Sequence, residues 1–577
     1  MYVLGVSCYY HDSSACLLDD GVVVAAAEEE RFTRKKHDTS FPVKAIEFCF
    51  KKAGITIKDV DHVAFYEKPI LKFERLLHQH IEMFPRSFPM FFQAMPNWLS
   101  EKLRIPAMFK KKLKYKGPVF YLEHHMSHAA SSFLVSPFKK AAILTIDGIG
   151  EWDSTTLGYG NENDIKIIKR LKFPHSLGLL YSTITAFLGM SVNNSEYKVM
   201  GLAPYGKPTY LEEFRKLIHV KEDGSYALNM DYFVFHYKQT MPSKKMEQLL
   251  GPIKNKDEPI TQRHKDIARS LQEITEEILF KILNHLHDIT GCDNLCMAGG
   301  VALNSVANGK IKANTPFKEI FINPAASDAG TSMGAAFYVY NTILGNSRKD
   351  VFNSPYLGPG YSNNYIEAFL EKNNIIHYRF KNDQELLKKT AELLFKNNVI
   401  GWYQGRMEWG PRALGNRSIL SNACNPNMQN ILNTKVKHRE NFRPFAPVIT
   451  EEDAHDWFEM DKLDEPYMLF VYPVKESKRK IIPSVTHVDG SGRLQTINKT
   501  QNPKYYGLIK EFEKYSGVPI LINTSFNIRG EPIVCTPYEA YKCMMGTGID
   551  YLIMGDFLIK REDNPQHLWD SESLADD

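Results

Sequence analysis

The sequence predicts an α/β protein with two similar lobes in its N-terminal part and a separate α/β domain behind them. The chain has 577 residues, more than a single hydrophobic core organises, and 43% of them are hydrophobic. Residues 4–18 and 144–158 share one pattern of apolar strand, small polar loop and second strand, which predicts a duplicated lobe. Near residue 345 the composition shifts to Gly, Pro, Asn and Ser, which indicates a linker.

The elements of the first lobe are predicted from local patterns. Residues 2–7 form an apolar, β-prone strand. Two further strands, 15–18 and 22–27, flank an Asp-Asp-Gly sequence that is typical of a hairpin turn. Residues 41–54 carry apolar side chains at helical spacing and end at a glycine, which predicts a helix.

The remaining chain divides into segments of different composition. Residues 70–115 are rich in Phe, Met, Trp and Leu and poor in strand signals, so we expect a helical insertion within a domain of residues 1–345. Residues 346–365 are the predicted linker, and residues 366–577 the C-terminal α/β domain. Its acidic end, after about residue 565, is expected to be frayed.

Composition and charge exclude several classes of protein. The formal net charge of +4 gives no case for a nucleic-acid partner. The N-terminus lacks the basic start of a signal peptide and no apolar run reaches the length of a membrane span, so we expect a cytoplasmic protein without a membrane partner. The eight scattered cysteines are expected to be reduced. The basic cluster at 109–116 is typical of a solvated helix edge, or else of a docking patch for an acidic partner.

Two histidines and two aspartates form the first candidate site. His124 and His128 are four residues apart in a predicted helix and share a face, where two imidazoles can grip one divalent metal. A helix cap plus a surface histidine is the alternative. Asp147 and Asp328 lie in loops that follow apolar strands, where a strand end presents an acid into a cleft. Together the four suit Fe(II), Mn(II) or Zn(II) with coordination positions left open, and spacing alone does not choose the metal.

Glycine and cationic residues suggest sites for anionic ligands. Gly299 and Gly300 end an apolar strand where a helix is expected to begin, a place at which a ligand approaches the backbone, although tight helix–strand packing also explains such pairs. The C-terminal half places cations in loops with prolines and glycines, which suits phosphate recognition, unless these arginines are merely solvated. The residues of these loops are Arg406, Arg412, Arg417, Lys437, Arg439, Arg443, Arg493, Ser525, Asn527 and Arg529.

Taken together, these motifs resemble the NodU/CmcH/TobZ-type O-carbamoyltransferases over essentially the whole chain. The resemblance depends on eight segments that occur in the same order. They are EHHMSHAAS, LTIDGIGEWDST, SEYKVMGLAPYG, GGVALN, DAGTSMGAA, GPRALGNRSIL, RPFAP and NTSFNIRGEPIV.

The resemblance implies a fold and an activity for each part. The N-terminal part should have the two-lobed fold shared by actin, sugar kinases and heat-shock chaperone ATPases (the ASKHA fold). The remainder should be YrdC-like, a twisted α/β domain. In such enzymes the YrdC-like domain makes carbamoyl-adenylate from carbamoyl phosphate and ATP, with Mg(II) accompanying the ATP. The N-terminal domain then passes the carbamoyl group to an acceptor hydroxyl on a natural product, a sugar or a toxin alcohol.

The resemblance also implies roles for individual positions. His124, His128, Asp147 and Asp328 match the metal ligands of the family, whose metal is usually iron. The other matching positions are implied to line the transfer site (His11 and Lys36), the adenosine-binding stretch (Gly299, Gly300 and Asn304) and the pocket for ATP and carbamoyl phosphate (Arg412, Lys437, Arg443, Arg493, Ser525 and Asn527).

These roles form a coherent chemistry. Two polyanionic substrates require several cations in one pocket, and the reactive mixed anhydride requires a dry route to the second site. At that site a metal can polarise the adenylate or lower the pKa of the acceptor hydroxyl. His11 can relay a proton, because histidine titrates nearest neutrality, or it is a structural loop histidine.

Three other functions remain as alternatives, and the acceptor is not identified. A small-molecule kinase of the actin-like fold explains the duplicated lobe but leaves the four metal ligands and the C-terminal cations without a role. A metalloprotease is disfavoured, because no Glu follows His124 as the H-E-x-x-H pattern requires. A nucleotide-binding partner in a complex of the tRNA-modification type is expected to lack the four metal ligands. The acceptor is a small molecule or sugar, the insertion contains no motif that identifies it, and a homodimer is possible.

Overall fold

The computed structural model describes residues 1–349, 351–462 and 464–565 of the chain. The predicted frayed tail falls almost wholly on residues 566–577, outside the described residues. The chain forms two compact units. Unit 1 comprises Met1–Glu29 and His37–Phe352, and unit 2 begins at Asn353. Unit 2 also includes Glu30–Lys36, which contains the short helix α1 (Glu30–Thr33).

The strands of unit 1 form two five-stranded sheets and one short antiparallel pair. They are β1 (Tyr2–Ser7), β2 (Ser14–Asp19), β3 (Val22–Glu28), β4 (Val60–Phe65), β5 (Val119–Tyr121), β6 (Lys140–Ile146), β7 (Asp153–Asn161), β8 (Asp164–Lys172), β9 (Ile218–Val220), β10 (Tyr226–Leu228), β11 (Asn294–Ala298) and β12 (Glu319–Ile322).

The two five-stranded sheets have one topology. The first has the order β3-β2-β1-β4-β5, and the second, read in the matching direction, has the order β8-β7-β6-β11-β12. In each sheet the first three strands along the chain are antiparallel neighbours, and the last two pair in parallel beside the first. The duplicated lobe predicted from residues 4–18 and 144–158 is therefore confirmed. It gives unit 1 the two-lobed α/β fold of the predicted class.

The first hairpin shows how local sequence determines this topology. Asp20 and Gly21 join β2 to β3, and both have positive φ, 46° and 82°. A two-residue turn with both residues in the left-handed region matches the twist of antiparallel strands, and Asp-Gly adopts it at little cost. The Asp-Asp-Gly prediction is confirmed here.

Helices pack on both sheets of unit 1. The longest, α11, buries one side along most of its 29 residues. The helices of this unit are α2 (Val43–Ala53), α3 (Pro69–Met83), α4 (Phe88–Ser100), α5 (Ile105–Leu113), α6 (His124–Phe133), α7 (Leu177–Phe187), α8 (Glu196–Leu202), α9 (Leu211–Leu217), α10 (Lys244–Leu250), α11 (Gln262–Thr290), α12 (Ser305–Asn308), α13 (Ile311–Asn314) and α14 (Asp328–Phe337).

Two of these helices, α6 and α14, cross each other closely and position the candidate site. A side chain at Gly334 of α14 would place its Cβ 1.9 Å from the carbonyl oxygen of Ser127 in α6, so only glycine fits there. Helix α14 also packs on β1 and β2, where the Ser14 hydroxyl donates to the Ala329 carbonyl at 2.7 Å. The N-terminal ends of both helices are held in fixed positions as a result.

The segment between β4 and β5 is helical. It contains α3, α4 and α5 with a short 3₁₀ turn between the last two. Its contacts are largely aromatic: the His80 and Phe91 rings stack at 4.0 Å, and Phe109 meets Phe41 edge-on at 5.1 Å. Lys110–Lys112 are exposed on α5 while Met108 and Phe109 are buried, as in a solvated helix edge.

Unit 2 contains an eight-stranded mixed sheet, with α16 and α19 packed together on it. The order of its strands is β13-β22-β21-β14-β15-β20-β16-β19, and a separate hairpin pairs β17 with β18. The elements are α15 (Asn363–Lys372), β13 (Tyr378–Arg379), α16 (Asp383–Phe395), β14 (Ile400–Tyr403), β15 (Arg417–Asn422), α17 (Met428–Ile431), β16 (Ala446–Thr450), α18 (Ala454–Trp457), β17 (Val471–Pro473), β18 (Ser491–Arg493), β19 (Gln495–Ile497), α19 (Pro503–Ser516), β20 (Ile520–Ser525), α20 (Pro537–Met545), β21 (Tyr551–Met554) and β22 (Phe557–Lys560).

The hydrophobic core of unit 2 lies between these two helices and the sheet. Leu386 and Leu394 of α16 meet Leu508 and Phe512 of α19 over Trp402 of the sheet, and all five are fully buried. The YrdC-like assignment of this unit stays a prediction. Among the described residues, no helix of either unit combines the length and apolar character needed to cross a membrane.

Candidate metal centre

Helix α6 carries both candidate histidine ligands on one face. It begins at His124, so His128 follows one helical turn later, as the four-residue spacing predicted. Both imidazoles are fully buried, and their Nε2 atoms lie 3.1 Å apart. This separation is short enough for the two nitrogens to bind one ion.

The first aspartate, Asp147, lies at the end of a strand. It follows β6 directly, its Oδ1 accepts the backbone N–H of Gly300 at 2.9 Å, and its Oδ2 is 3.1 Å from Nε2 of His124. The hydrogen bond from Gly300 therefore orients the carboxylate so that Oδ2 faces the imidazole of His124. The strand-end prediction for Asp147 is confirmed.

The second aspartate, Asp328, reaches the same point by another route. The predicted strand-end loop is wrong for this residue, because Asp328 is the first residue of α14 and five residues separate it from the end of β12. A carboxylate in the first turn of a helix is stabilised by the helix dipole. Its Oδ1 lies 3.4 Å from Nε2 of His128 and 3.6 Å from Nε2 of His124.

The four side chains form one buried cluster of donors. One ligand atom from each lies within 4.8 Å of the others. Neither oxygen of Asp328 has a hydrogen-bond donor among the described residues, although both are buried. Burying carboxylate oxygens without donors is costly unless a cation is bound, and two nitrogens with two oxygens suit Fe(II), Mn(II) or Zn(II) alike. The residues present therefore fit a divalent metal.

The electrostatics show that the carboxylates of this cluster attract positive charge, which a proton on His128 supplies when no metal is bound. Burial lowers the pKa of His128, but the nearby carboxylates of Asp147 and Asp328 outweigh it and raise that pKa to about 9. Burial raises the pKa of Asp147, yet His124 and His128 hold it well below its usual range. The Asp147 carboxylate is therefore ionised at neutral pH, as a metal ligand must be.

Two buried residues that the sequence analysis did not predict support the helix that carries the candidate histidine ligands. The Glu151 carboxylate accepts the backbone N–H of His124 at 3.1 Å and that of Lys68 at 2.8 Å, which connects α6 to the start of α3. His125 lies between the Thr145 hydroxyl at 2.6 Å and the Asp153 carbonyl at 2.9 Å. Burial and the neighbouring histidines lower the pKa of His125, so it is neutral. Both lie within segments on which the family resemblance depends, EHHMSHAAS and LTIDGIGEWDST, and that was their signal in the sequence.

His11 lies beside the cluster in the loop between β1 and β2. Its Nε2 is 3.9 Å from Asp328, and its Nδ1 donates to Asp12 at 2.9 Å. Burial lowers the pKa of His11, but Asp328 and Asp12 outweigh it and raise the pKa to about 10. The loop that contains His11 corresponds by duplication to the loop that contains Asp147, so equivalent loops of the two lobes meet at this site.

Asp12 joins His11 to a second histidine that the sequence did not reveal. His37 Nδ1 donates to the other oxygen of Asp12 at 2.6 Å, and its Nε2 lies 3.1 Å from Oδ1 of Asn194. Asp12 and His37 both have positive φ, 53° and 54°, which non-glycine residues rarely adopt. Strain of this kind persists where surrounding contacts impose it, and it is common at functional sites.

The remaining predicted residues of the N-terminal part occupy different positions. Lys36 lies in the Glu30–Lys36 segment of unit 2, whereas His11 belongs to unit 1. Gly299 has φ of 95°, and a Cβ there would lie 2.1 Å from the Ile146 carbonyl, so close packing against β6 requires glycine. The helix expected there is a four-residue 3₁₀ turn from Gly300, followed by α12. Asn304 caps α12 and exchanges two hydrogen bonds with Gln272, at 3.0 and 3.1 Å.

In unit 2 the structure brings three predicted residues together. The Lys437 ammonium donates to both the carbonyl and the hydroxyl of Ser525, and to the side-chain and backbone oxygens of Asn527 at 2.8 and 2.9 Å. Lys437 is buried, so this contact fixes a cation against the loop that follows β20. Arg443 is also buried and lies 3.5 Å from Glu440, whereas Arg412 and Arg493 are half-buried.

Two other arginines of the basic loops have structural roles. The Arg417 guanidinium is fully buried, donates to the Gln404, Asn416 and Pro359 carbonyls, and stacks 3.7 Å from the Tyr403 ring. Arg406 donates to the Leu357 and Gly358 carbonyls. Backbone carbonyls, and not an anion, therefore accept the hydrogen bonds of the Arg417 guanidinium, and Arg417 is not a solvated arginine either.

Comparison with known proteins determines the family. The family model described as carbamoyltransferase N-terminus matches residues 2–337, and the one described as carbamoyltransferase C-terminus matches residues 391–561. The chain belongs to the carbamoyltransferase family. The predicted resemblance is confirmed, and carbamoyl transfer is the activity that this family supports.

Individual relatives span most of the chain. A Synechocystis protein without an assigned function is 45% identical over 99% of this chain and 98% of its own length. The nodulation protein NolNO of Sinorhizobium fredii is 37% identical over 94% of this chain and 78% of its own length. A Methanocaldococcus jannaschii protein, also without an assigned function, is 34% identical and covers 78% of this chain and 76% of its own.

Proposed function

We propose that this carbamoyltransferase is an ATP-dependent O-carbamoyltransferase that works in two steps. Unit 2 would form carbamoyl-adenylate from carbamoyl phosphate and ATP with Mg(II). Water would first cleave carbamoyl phosphate to carbamate and phosphate, and a carbamate oxygen would then attack the α-phosphorus of ATP and displace pyrophosphate. Unit 1 would then transfer the carbamoyl group to the hydroxyl of a small molecule or sugar and release AMP. The observation that carries the proposal is the buried cluster of His124, His128, Asp147 and Asp328, in which one ligand atom from each lies within 4.8 Å of the others.

His124, His128, Asp147 and Asp328 would hold a divalent metal, with iron the first candidate. Such an ion supplies Lewis acidity, which polarises a bound oxygen or lowers the pKa of a bound hydroxyl. Glu151 fixes the start of α6 and therefore the position of His124. His11, at 3.9 Å from Asp328, lies at the edge of the cluster, where its imidazole, protonated at neutral pH, can donate a proton to the phosphate of the departing AMP.

The direct test is a mass-shift assay. The full chain, loaded with Fe(II), is incubated with ATP, Mg(II), carbamoyl phosphate and a panel of alcohols. A gain of one carbamoyl group on an alcohol, dependent on both ATP and carbamoyl phosphate, is expected. Phosphorylation of the alcohol from ATP alone would instead identify a kinase and would contradict the proposal.

Replacing Asp12 by asparagine is expected to reduce carbamoyl transfer by about a hundredfold or more, which is typical of losing general acid–base catalysis. The Asp12 carboxylate accepts from His11 and His37 at once, whereas an amide turns its NH₂ group toward one of them and releases that ring. The rate is measured by feeding synthetic carbamoyl-adenylate together with an alcohol. The control is Asp164→Asn, which makes the same substitution at an exposed aspartate at the start of β8. Equal rates for both variants would exclude a positioning role for Asp12.

Replacing Arg443 by alanine is expected to slow carbamoyl-adenylate formation about ten- to a hundredfold. A hydrogen bond to a charged group contributes roughly 1.5–3 kcal/mol, and each 1.36 kcal/mol corresponds to about a tenfold change in rate. Pyrophosphate release without any acceptor measures this step. Arg379→Ala removes an exposed arginine of the same unit and should leave release unchanged. Normal release from the Arg443 variant would place activation outside the proposed pocket.

A further inference from the structure

The helical insertion contains a buried arginine that forms no ion pair with any of the described residues. Arg75 lies on the buried side of α3 and is only 8% exposed. Its Nε and Nη1 atoms are buried, and among the described residues no group accepts a hydrogen bond from either. The sequence identified no substrate motif in this insertion, so Arg75 has no role in the function proposed above.

The nearest acids are already engaged elsewhere. Glu67 pairs with Lys72 at 2.5 Å, and Glu151 accepts the backbone N–H groups of His124 and Lys68. Neither closes an ion pair with Arg75. The guanidinium lies over the Phe173 ring, whose centroid is 5.2 Å away. An aromatic face attracts a cation but leaves its N–H donors unused.

Burying a guanidinium without an ion pair lowers the stability of the folded protein unless a ligand compensates for the buried charge. Burial lowers the pKa of Arg75 to about 10, against the attraction of Tyr10, Glu67 and Glu151, so it remains a cation at neutral pH. Burying a charge without an ion pair destabilises a protein, and removing it is often neutral or stabilising. The planar fork of a guanidinium matches the oxygens of a carboxylate, phosphate or sulfate. An oxyanion that binds during function would satisfy these donors.

Arg75 lies within a few contacts of the candidate metal centre. One turn earlier on α3, the Lys72 ammonium sits 4.6 Å from the Tyr10 ring, and that ring lies 5.0 Å from the ring of His11. From the other side, Glu151 connects the start of α3 to His124. A substrate that reaches the metal centre thus has Arg75 in its neighbourhood.

We propose that Arg75 binds an oxyanion of a substrate at the transfer site. This inference rests on the proposed function and specifies the chemistry of its substrate. The oxyanion has two possible sources: an acidic group on the acceptor alcohol, or the phosphate of carbamoyl-adenylate. Both would place a carboxylate, phosphate or sulfate oxygen against the unused donors of Arg75.

The first experiment locates the anion directly. Crystals of the full chain are soaked with selenate as the oxyanion probe, and anomalous scattering gives the position of selenium. We expect a selenate within hydrogen-bonding distance of the Arg75 guanidinium in the unmodified protein and none there in Arg75→Gln. A clear map without selenate at Arg75 would overturn the proposal. The position of selenate tests anion binding at Arg75 whether or not the proposed function is correct, because it requires no enzymatic activity.

The second experiment identifies the source. Synthetic carbamoyl-adenylate is supplied with paired alcohols that differ by one acid, namely glucose with glucuronate and glycerol with glycerol phosphate. If the acceptor provides the oxyanion, the acidic partner is favoured and Arg75→Gln lowers kcat/KM for it alone, about ten- to a hundredfold and mainly through KM. If the adenylate provides it, the KM for the adenylate rises equally with every alcohol. Arg75→Lys should retain part of either effect.

Controls separate binding from folding and from the proposed function. Arg86→Gln removes an exposed arginine of the same insertion and should change neither parameter. The melting temperature of Arg75→Gln should not fall, because the variant removes an unpaired buried charge. Selenate at Arg75 with unchanged kinetics in Arg75→Gln would identify an adventitious ion only and overturn the substrate role. Absence of transfer to any alcohol by the unmodified protein would instead contradict the proposed function.

Discussion

Replacing His128 by alanine is expected to remove the metal and abolish carbamoyl transfer while carbamoyl-adenylate formation continues. His128 supplies one of four ligand atoms that lie within 4.8 Å of one another, and its loss leaves Asp147 and Asp328 with a single imidazole. Loss of a residue that merely supports a ligand typically lowers metal affinity about 10- to 100-fold, so loss of the ligand itself should exceed that range. Metal analysis together with pyrophosphate release measures both halves of this prediction.

The matched control is His219→Ala, which removes an exposed histidine from β9 in the same unit. It should bind metal and transfer the carbamoyl group normally. Full metal occupancy in the His128 variant would show that these four side chains are not the binding site. Loss of pyrophosphate release along with transfer would show that adenylate formation also needs the metal centre.

Two further variants should differ when the intermediate is supplied from outside. Lys437→Ala is expected to fail in making carbamoyl-adenylate, because it removes the cation that Ser525 and Asn527 hold in place, but its transfer site is intact. His11→Ala is expected to make the adenylate and transfer it slowly. Synthetic carbamoyl-adenylate should therefore restore transfer in the Lys437 variant and leave the His11 variant about a hundredfold or more below the unmodified enzyme.

The reasoning is that added intermediate bypasses a defect upstream of it and cannot bypass one downstream. Because the adenylate hydrolyses readily, the assay must be short and must include a sample without enzyme. Rescue of both variants, or of neither, would contradict the assignment of two steps to two sites. A third sample with Lys437→Ala and His11→Ala mixed should recover activity only if the adenylate escapes into solution.

Local patterns in the sequence were sufficient for much of unit 1. The Asp-Gly turn, the strand before Asp147 and the shared face of His124 and His128 each depend on a few neighbouring residues. The similarity of residues 4–18 to 144–158 predicted the duplication, because it preserves which residues are apolar and where the polar loop falls.

Tertiary contacts account for what the sequence did not reveal. The pairing of Asp12 with His37 spans 25 residues and depends on a loop with positive φ, which no periodicity records. Arg417 was grouped with phosphate-binding cations, yet backbone carbonyls satisfy it. A sequence gives the charge of a side chain but not whether its partner is an anion, a carbonyl or nothing. Arg75 illustrates the last of these.

The four candidate metal donors come from separate parts of unit 1, which bears on how long the protein persists in the cell. His124 and His128 come from one helix, Asp147 from the loop directly after β6, and Asp328 from a helix late in unit 1. An ion held by all of them ties distant parts of the chain into closed loops, as a disulfide would, and such ties disfavour the unfolded chain. Resistance to heat and proteases should therefore rise with the supply of metal, so starvation for metal would deplete the protein as well as silence it.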